Sequence, residues 1–217
     1  MVNRYFIDGK DLFLEYGITV LKSNGELDLP KPKKRLEIDW PDSHGLSIDA
    51  ELSFVGVREI ELECMLIQEQ NTLAVSKLSA FNSLLIASGF RQMRCYKTNP
   101  KVHMVKLNDG IRVERFDQGK TLLFNVHLIE PEPVSRQFQI DIVTANDAVT
   151  VNVGSGATGS LTVYWGDGTK EVVVSSKTHS YPVGSIPIIV VAGDFTKTPN
   201  FSISAYINYT TVTPPEL

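Results

Sequence analysis

Arg58-Glu59-Ile60-Glu61-Leu62-Glu63-Cys64-Met65-Leu66-Ile67 is the stretch on which the fold turns. Ile60, Leu62, Cys64 and Leu66 alternate with Glu59, Glu61 and Glu63, and a strand converts that period of two into one buried and one wet face. Residues 121–130 repeat the pattern, with Leu122, Phe124, Val126 and Leu128 alternating with Leu123, Asn125, His127 and Ile129. Both faces of this second stretch are partly apolar, which predicts a strand covered on both sides. Residues 102–107 and 111–116 read as two further strands joined by Asn108-Asp109-Gly110, and Asp-Gly between apolar alternations is a strong hairpin signal. One helix interrupts the strands. Thr72 stands where it can cap the helix start, and Val75, Leu78, Phe81 and Leu85 recur at helical spacing, with Ala74 and Leu84 widening the stripe. Gly89 supplies a left-handed residue to end it.

Further along, the composition changes. Only four of the 21 basic and six of the 25 acidic residues lie from Arg136 onward, where Thr, Val, Ser and Gly take over. The junction Ile129-Glu130-Pro131-Glu132-Pro133-Val134-Ser135 carries a Pro-x-Pro segment, which suits a short semi-rigid linker and cannot continue a central strand. The expected division is therefore 1–133 and 134–217. In the second part, strands are expected at 138–143, 148–153, 161–165, 171–174, 187–191 and 201–209. That many short strands with turn residues between them describe a small β-sandwich. The expected fold class is mainly β: an N-terminal β-sandwich-like domain with one docked helix, then a C-terminal β-sandwich.

Composition excludes several function classes. The 217 residues suffice for two ordinary domains. No run reaches the roughly 18 to 20 apolar residues of a membrane span. Met1-Val2-Asn3-Arg4-Tyr5-Phe6-Ile7-Asp8 lacks the apolar core of a secretory signal, so synthesis in a cytoplasm is expected. Cys64 and Cys95 then read as free core thiols. The net charge of −4 argues against nucleic acid as a partner. The one basic cluster, Lys31-Pro32-Lys33-Lys34-Arg35, has no interleaved aromatic residue and reads as a solvated loop.

The polar constellations are better explained by turns than by chemistry. Asp39, Asp42, His44 and Asp49 match no metal-ligand spacing. Gly154-Ser155-Gly156-Ala157-Thr158-Gly159 has the letters of a dinucleotide fingerprint, but a strand-like stretch follows it where a helix is required, so it reads as a hairpin loop. His44, His103, His127 and His179 are the only histidines, and no G-x-S-x-G elbow is present. Asp167 alone does not make a calcium site, which wants six to eight oxygens. No catalytic residue, cofactor site or metal site is expected, and the chain is expected not to be an enzyme.

Two resemblances add to this reading. Val163-Tyr164-Trp165-Gly166-Asp167-Gly168-Thr169, followed by His179-Ser180-Tyr181-Pro182-Val183-Gly184, resembles the signature of PKD-like, immunoglobulin-like modules. Gly166 and Gly168 permit a tight turn, Asp167 can hydrogen-bond its backbone, and Trp165 and Tyr181 supply core bulk, with the Tyr181 hydroxyl free to anchor a corner. The resemblance covers about the last 80 residues and implies a fold more than a function. The second resemblance rests on Phe6-Ile7-Asp8-Gly9-Lys10-Asp11-Leu12, Tyr16-Gly17-Ile18-Thr19-Val20, Leu27-Asp28-Leu29-Pro30 and Asp39-Trp40-Pro41-Asp42-Ser43-His44-Gly45. Together these resemble tail proteins related to the siphophage distal tail protein, particularly from prophages of Bacteroides-type bacteria, over about the first 130 residues. That family implies a hexameric ring at the end of the tail tube, joined to baseplate or tip proteins. The second module would then project outward, with a host-surface glycan as a candidate ligand. A tail-tube-like protein and a glycan-binding adhesin are the alternatives.

Overall fold

The computed structural model describes residues 4–33, 37–39, 46–48, 55–95, 99–133, 135–140, 148–204 and 209–212. β1 (Tyr5–Ile7) and β2 (Lys10–Asp11) form a tight hairpin, after which Asp11 caps α1 (Leu12–Tyr16) by accepting from the amides of Phe13 and Leu14 at 2.9 and 3.1 Å. β3 (Ile18–Asn24) follows. β4 (Glu37–Asp39) and β5 (Leu46–Ile48) pair with each other in a sheet of their own. Next come β6 (Arg58–Ile67), α2 (Asn71–Ile86), β7 (Arg91–Cys95), β8 (Asn99–Leu107), β9 (Arg112–Phe116) and β10 (Thr121–Glu130).

The alternation of residues 58–67 is realised to the residue: Ile60, Leu62, Cys64 and Leu66 are buried, and the three glutamates between them are not. β6 sits between β10 and β3 in an eight-stranded sheet of order β2-β1-β7-β8-β10-β6-β3, with β9 also on β10. The sheet curls over one core. Tyr5, Ile7 and Met93 from one half meet Leu62, Leu66, Phe124 and Leu128 from the other. Each fully buried Leu or Ile contributes about 1.5–3 kcal/mol there. α2 is docked on this core through Ala74, Phe81 and Leu85, with the Phe81 ring 5.6 Å from Tyr16 and 6.3 Å from Phe124.

Several expectations for this lobe need correction. Asn108-Asp109-Gly110 joins no hairpin, because 99–107 and 112–116 both pair antiparallel with β10 and lie end to end along one of its edges. Four residues, 108–111, face two on β10, so the segment is a bulge in one interrupted strand, and Gly110 keeps a negative φ that a primed turn would forbid. The true hairpin is at Asp117-Gln118-Gly119, all three left-handed, between β9 and β10. β10 is covered on one face only, with Asn125 and His127 exposed. The doubly covered strand is β8, where Val102, His103, Met104 and Val105 are all buried. Thr72 is not the helix cap; Gln70 holds that place without a side-chain bond, and the helix ends at Ala87 in extended conformation, two residues before Gly89. Val75 lies outside the core, 43% exposed. α1 is an additional short helix.

The rest of the chain makes two facing sheets: β11 (Ser135–Ile140), β13 (Leu161–Tyr164), β14 (Lys170–Val173), β16 (Ile188–Gly193) and β18 (Tyr209–Val212) in one, and β12 (Ala148–Asn152), β15 (Ser176–Ser180) and β17 (Ser202–Ser204) in the other. Trp165, Val151, Val163, Ile189 and Val191 fill the space between them. β15 was not among the expected strands; its burial is low throughout, so no apolar period marks it. The glycine-rich stretch 154–159 is a crossover from one sheet to the other, since β12 and β13 do not pair.

Candidate functional site

The five-stranded sheet has a second covered face. Tyr164, Val190 and Ala192 on its outer side pack against Val102 and Met104 of β8, with Phe90 and Ile188 alongside. The two lobes therefore share a dry joint. The Phe90 and Tyr164 rings meet edge to face at 5.5 Å, and the Lys170 ammonium stands 4.7 and 5.1 Å from their centroids.

Polar contacts fix the joint's orientation. Gln137 behaves as a strand of one residue: the Val102 amide donates to its Oε1 at 2.9 Å, and its Nε2 donates to the Val102 carbonyl at 2.5 Å. Gln92 donates to the Ile188 carbonyl, Lys101 donates to the Pro133 carbonyl, and the Tyr164 hydroxyl donates to Glu132 at 2.7 Å. Beneath them Glu130, 1% exposed, accepts from Arg58 at 2.7 Å, with His103 Nδ1 at 3.1 Å and Lys101 Nζ at 4.0 Å. Burial alone would raise the Glu130 pKa, but the His103 hydrogen bond and the charges of His103, Lys101 and Arg58 outweigh it and hold the carboxyl below its usual value. Burial lowers the Lys101 pKa, only partly opposed by Glu130.

This joint was missed in the sequence, yet it left a signal. Arg58 and Glu130 occupy core-parity positions on two otherwise apolar alternations, and they are directly opposite one another across β6 and β10. Charged residues at matching core positions on paired strands mark a buried ion pair.

The signature residues of the second lobe come together at one corner. Trp165 is fully buried and donates from Nε1 to Glu171 at 3.0 Å; the Tyr181 hydroxyl donates to the Trp165 carbonyl at 2.6 Å. His179 stacks on Trp165 at 4.9 Å and sits 2.7 Å from Asp167, whose other oxygen accepts from the amide and hydroxyl of Thr169. Burial raises the Asp167 pKa, but those hydrogen bonds and His179 more than offset it, leaving the carboxyl below its ordinary value. Gly166 takes φ +89°, and a Cβ there would stand 2.8 Å from the Ile188 carbonyl. Gly168 shares the left-handed region, and Gly184 lies in the following turn. These side chains are consumed by one another, which makes the corner an architectural element.

Trp40, Pro41, Asp42, His44 and Gly45 lie outside the described residues, as does Asp49. Asp39 is described only as backbone, opposite Leu46 in β4–β5. His103 belongs to the joint, and His127 is half-exposed beside Glu61 at 3.8 Å. Both cysteines are buried and form no disulfide, and burial, then the Glu63 charge, push the Cys64 thiol up to about 12. No helix among the described residues is long and apolar enough to cross a membrane.

A third feature is an apolar groove of about 490 Å³ at the seam where the curled sheet fails to close. Arg4 and Tyr5 line one side, Ile18, Thr19 and Val20 of β3 the other, and Leu12, Phe13 and Leu14 of α1 its floor. The Tyr5 hydroxyl donates to Ser23 at 2.8 Å across it.

No protein-family model and no curated protein sequence matches the chain. Among solved structures it is similar to the SPP1 Dit (gp 19.1) protein, described as a paradigm of the hub adsorption apparatus in phages infecting Gram-positive bacteria. The likeness has a TM-score of 0.50 at 13% identity and spans 97% of this chain and 97% of that one. The fold is Dit-like.

Proposed function

We propose that this chain is a non-enzymatic structural component of a phage or prophage tail, a distal-tail or baseplate-hub subunit. Copies assemble as a ring, six to a turn, between the tail tube and the tip, and the second lobe faces outward. The observation that carries this reading is that the fold likeness to a phage hub protein runs end to end through both lobes, not through one common sandwich alone. The residues agree with it. The most buried polar groups are spent on one another and on backbone, Arg58 on Glu130 within the first lobe and Gln137 on Val102 across the joint, and the signature corner is spent on holding a turn. The mechanism is positioning, in which no bond is made or broken.

Light scattering across a concentration series, with negative-stain imaging of whatever forms, tests the proposal. Closed six-fold rings are the expected species. A chain that stays monomeric alone and when mixed with the tail-tube and tip proteins encoded beside it overturns the reading.

A further inference from the structure

Asp-Gly occurs three times in the chain, at Asp8-Gly9, Asp109-Gly110 and Asp167-Gly168. The dipeptide has a reactivity of its own, because a residue without a Cβ leaves its amide nitrogen unshielded toward the preceding carboxyl. A Cβ built on any of the three glycines would meet nothing within 4 Å, so open space does not separate them. The carboxylates do.

Asp8 and Asp167 have both oxygens engaged by other groups. Asp8 accepts from the Gln92 amide at 2.8 Å and from Arg91 at 3.0 Å. Asp167 accepts from the Thr169 amide and hydroxyl at 2.9 and 2.6 Å, and its other oxygen lies 2.7 Å from His179. Asp109 is different. It is exposed, and its Oδ1 accepts from the Gly110 amide at 2.7 Å. That nitrogen stands beside an oxygen one bond away from the carbon it would attack, a near-attack arrangement. Gly110 also lies in the bulge, between the pairs Leu107–Leu128 and Arg112–Asn125. The Asn108 amide ties one end of the bulge to the His127 carbonyl at 2.9 Å, while among the described residues the Gly110 amide takes no part in the ladder.

We propose that Asp109-Gly110 is a site of spontaneous isoaspartate formation, and that the fold confines the reaction to this one of the three pairs. The Gly110 nitrogen bonds to Asp109 Cγ, and the hydroxyl of the protonated carboxyl leaves with the amide proton as water, closing a five-membered imide. One water then adds back. At Cγ it restores aspartate; at the main-chain carbonyl it breaks the original link to Gly110, which stays attached through Cγ. Atoms balance, and no oxidant, reductant or enzyme enters.

The consequence falls on a groove of about 640 Å³ between the bulge and α2, which both residues line with Val75, Leu78 and Ile86. Isomerisation adds one main-chain atom and relocates the carboxylate at the groove's edge, with mass and number of charges unchanged. The neighbouring strands keep their register on β10, because the bulge already holds chain in excess of what it spans. This inference stands independently of the tail reading.

The test ages the full chain at neutral pH in water enriched in heavy oxygen, beside a sample held in denaturant. Both are then digested in ordinary water, and the three Asp-Gly peptides are followed by mass spectrometry. Each imide that opens leaves one heavy oxygen behind, and isoaspartate resists an endoprotease that cuts at aspartate. The denatured sample gives each pair its own reference rate. In the folded chain Asp109 is expected to convert at least as fast as its reference, with Asp8 and Asp167 slowed roughly tenfold or more. Asn24-Gly25, the related amide pair, is held in the ladder opposite Glu61 with Gly25 packed on Glu59, and any reaction there changes the mass and is counted apart. Gly110→Ala, at a position with open space and a negative φ, should keep the fold and slow Asp109 by a similar factor. A folded-chain rate at Asp109 below its reference, or no faster than at the other two pairs, overturns the inference. So does a Gly110→Ala chain that converts as fast as the parent.

Discussion

β8 and β3 belong to the same sheet, and among the described residues each has a stretch of edge that no neighbouring strand of that sheet occupies. On β8 the stretch around Val102 is closed from outside by the carboxamide of Gln137 and roofed by Tyr164 and Val190. On β3 the stretch from Ile18 to Val20 is left open beside exposed Phe13 and Leu14. The same backbone chemistry has received opposite treatment. An edge closed within the monomer contributes to stability, whereas an edge left open contributes only when a partner arrives. Substitutions at the first should register in unfolding experiments, and substitutions at the second in association.

The largest effect is expected beneath the closed edge. Glu130→Ala strands Arg58 without its carboxylate in a buried setting, and a loss of about 3–5 kcal/mol in denaturant unfolding is expected. A loss below about 1 kcal/mol would show that the cluster is wetter than its burial implies. Gln137→Ala comes next, since it leaves the buried Val102 amide and carbonyl unpaired; about 1–3 kcal/mol should be lost, with faster hydrogen exchange at Val102. Unchanged exchange there would break the comparison. Tyr181→Phe, remote from both edges, should cost about 1 kcal/mol through the bond to the Trp165 carbonyl, which calibrates the scale.

Acidity sharpens the same contrast. The Glu130 pKa is lowered in the folded state, so its contribution is present above the ordinary carboxylate range and is lost as pH falls through the lowered value. The unfolding midpoint should therefore fall on acidification, and Glu130→Gln should flatten that dependence. Smallest of all is the expected stability change for Phe13→Ser, within about 0.5 kcal/mol, because the ring is already exposed. A larger loss measured on the monomer would mean that the seam is part of the core.

How much of this was legible in the residues follows from how local each signal is. The strands at 58–67 and 121–130 could be read to their ends, because a two-residue period carries its own phase. The aromatic corner of Trp165 and Tyr181 was legible as well, since its turn needs glycine and an Asx residue at fixed places. Pairing was not. Asn108-Asp109-Gly110 has the composition of a hairpin, but both flanking strands found a longer partner in β10, and tertiary pairing overrode the local preference. Double coverage was sought at β10, where apolar residues occur on both faces, and occurs at β8, where His103 and Lys101 disguise it. The joint was hidden because its residues come from strands and loops scattered along both lobes, and only the matched parity of Arg58 and Glu130 announced it.

The β4–β5 pair has a geometric consequence of its own. Two antiparallel strands keep facing the same partners if residues are added to both in equal number, and each matched pair moves the tip by about 3.4 Å. Paired insertions could thus lengthen that pair like the segments of a ruler without rewriting its register. An unpaired insertion would instead turn one strand's side chains to the opposite face. Variation in length among such chains should then fall in even totals, split symmetrically about the tip.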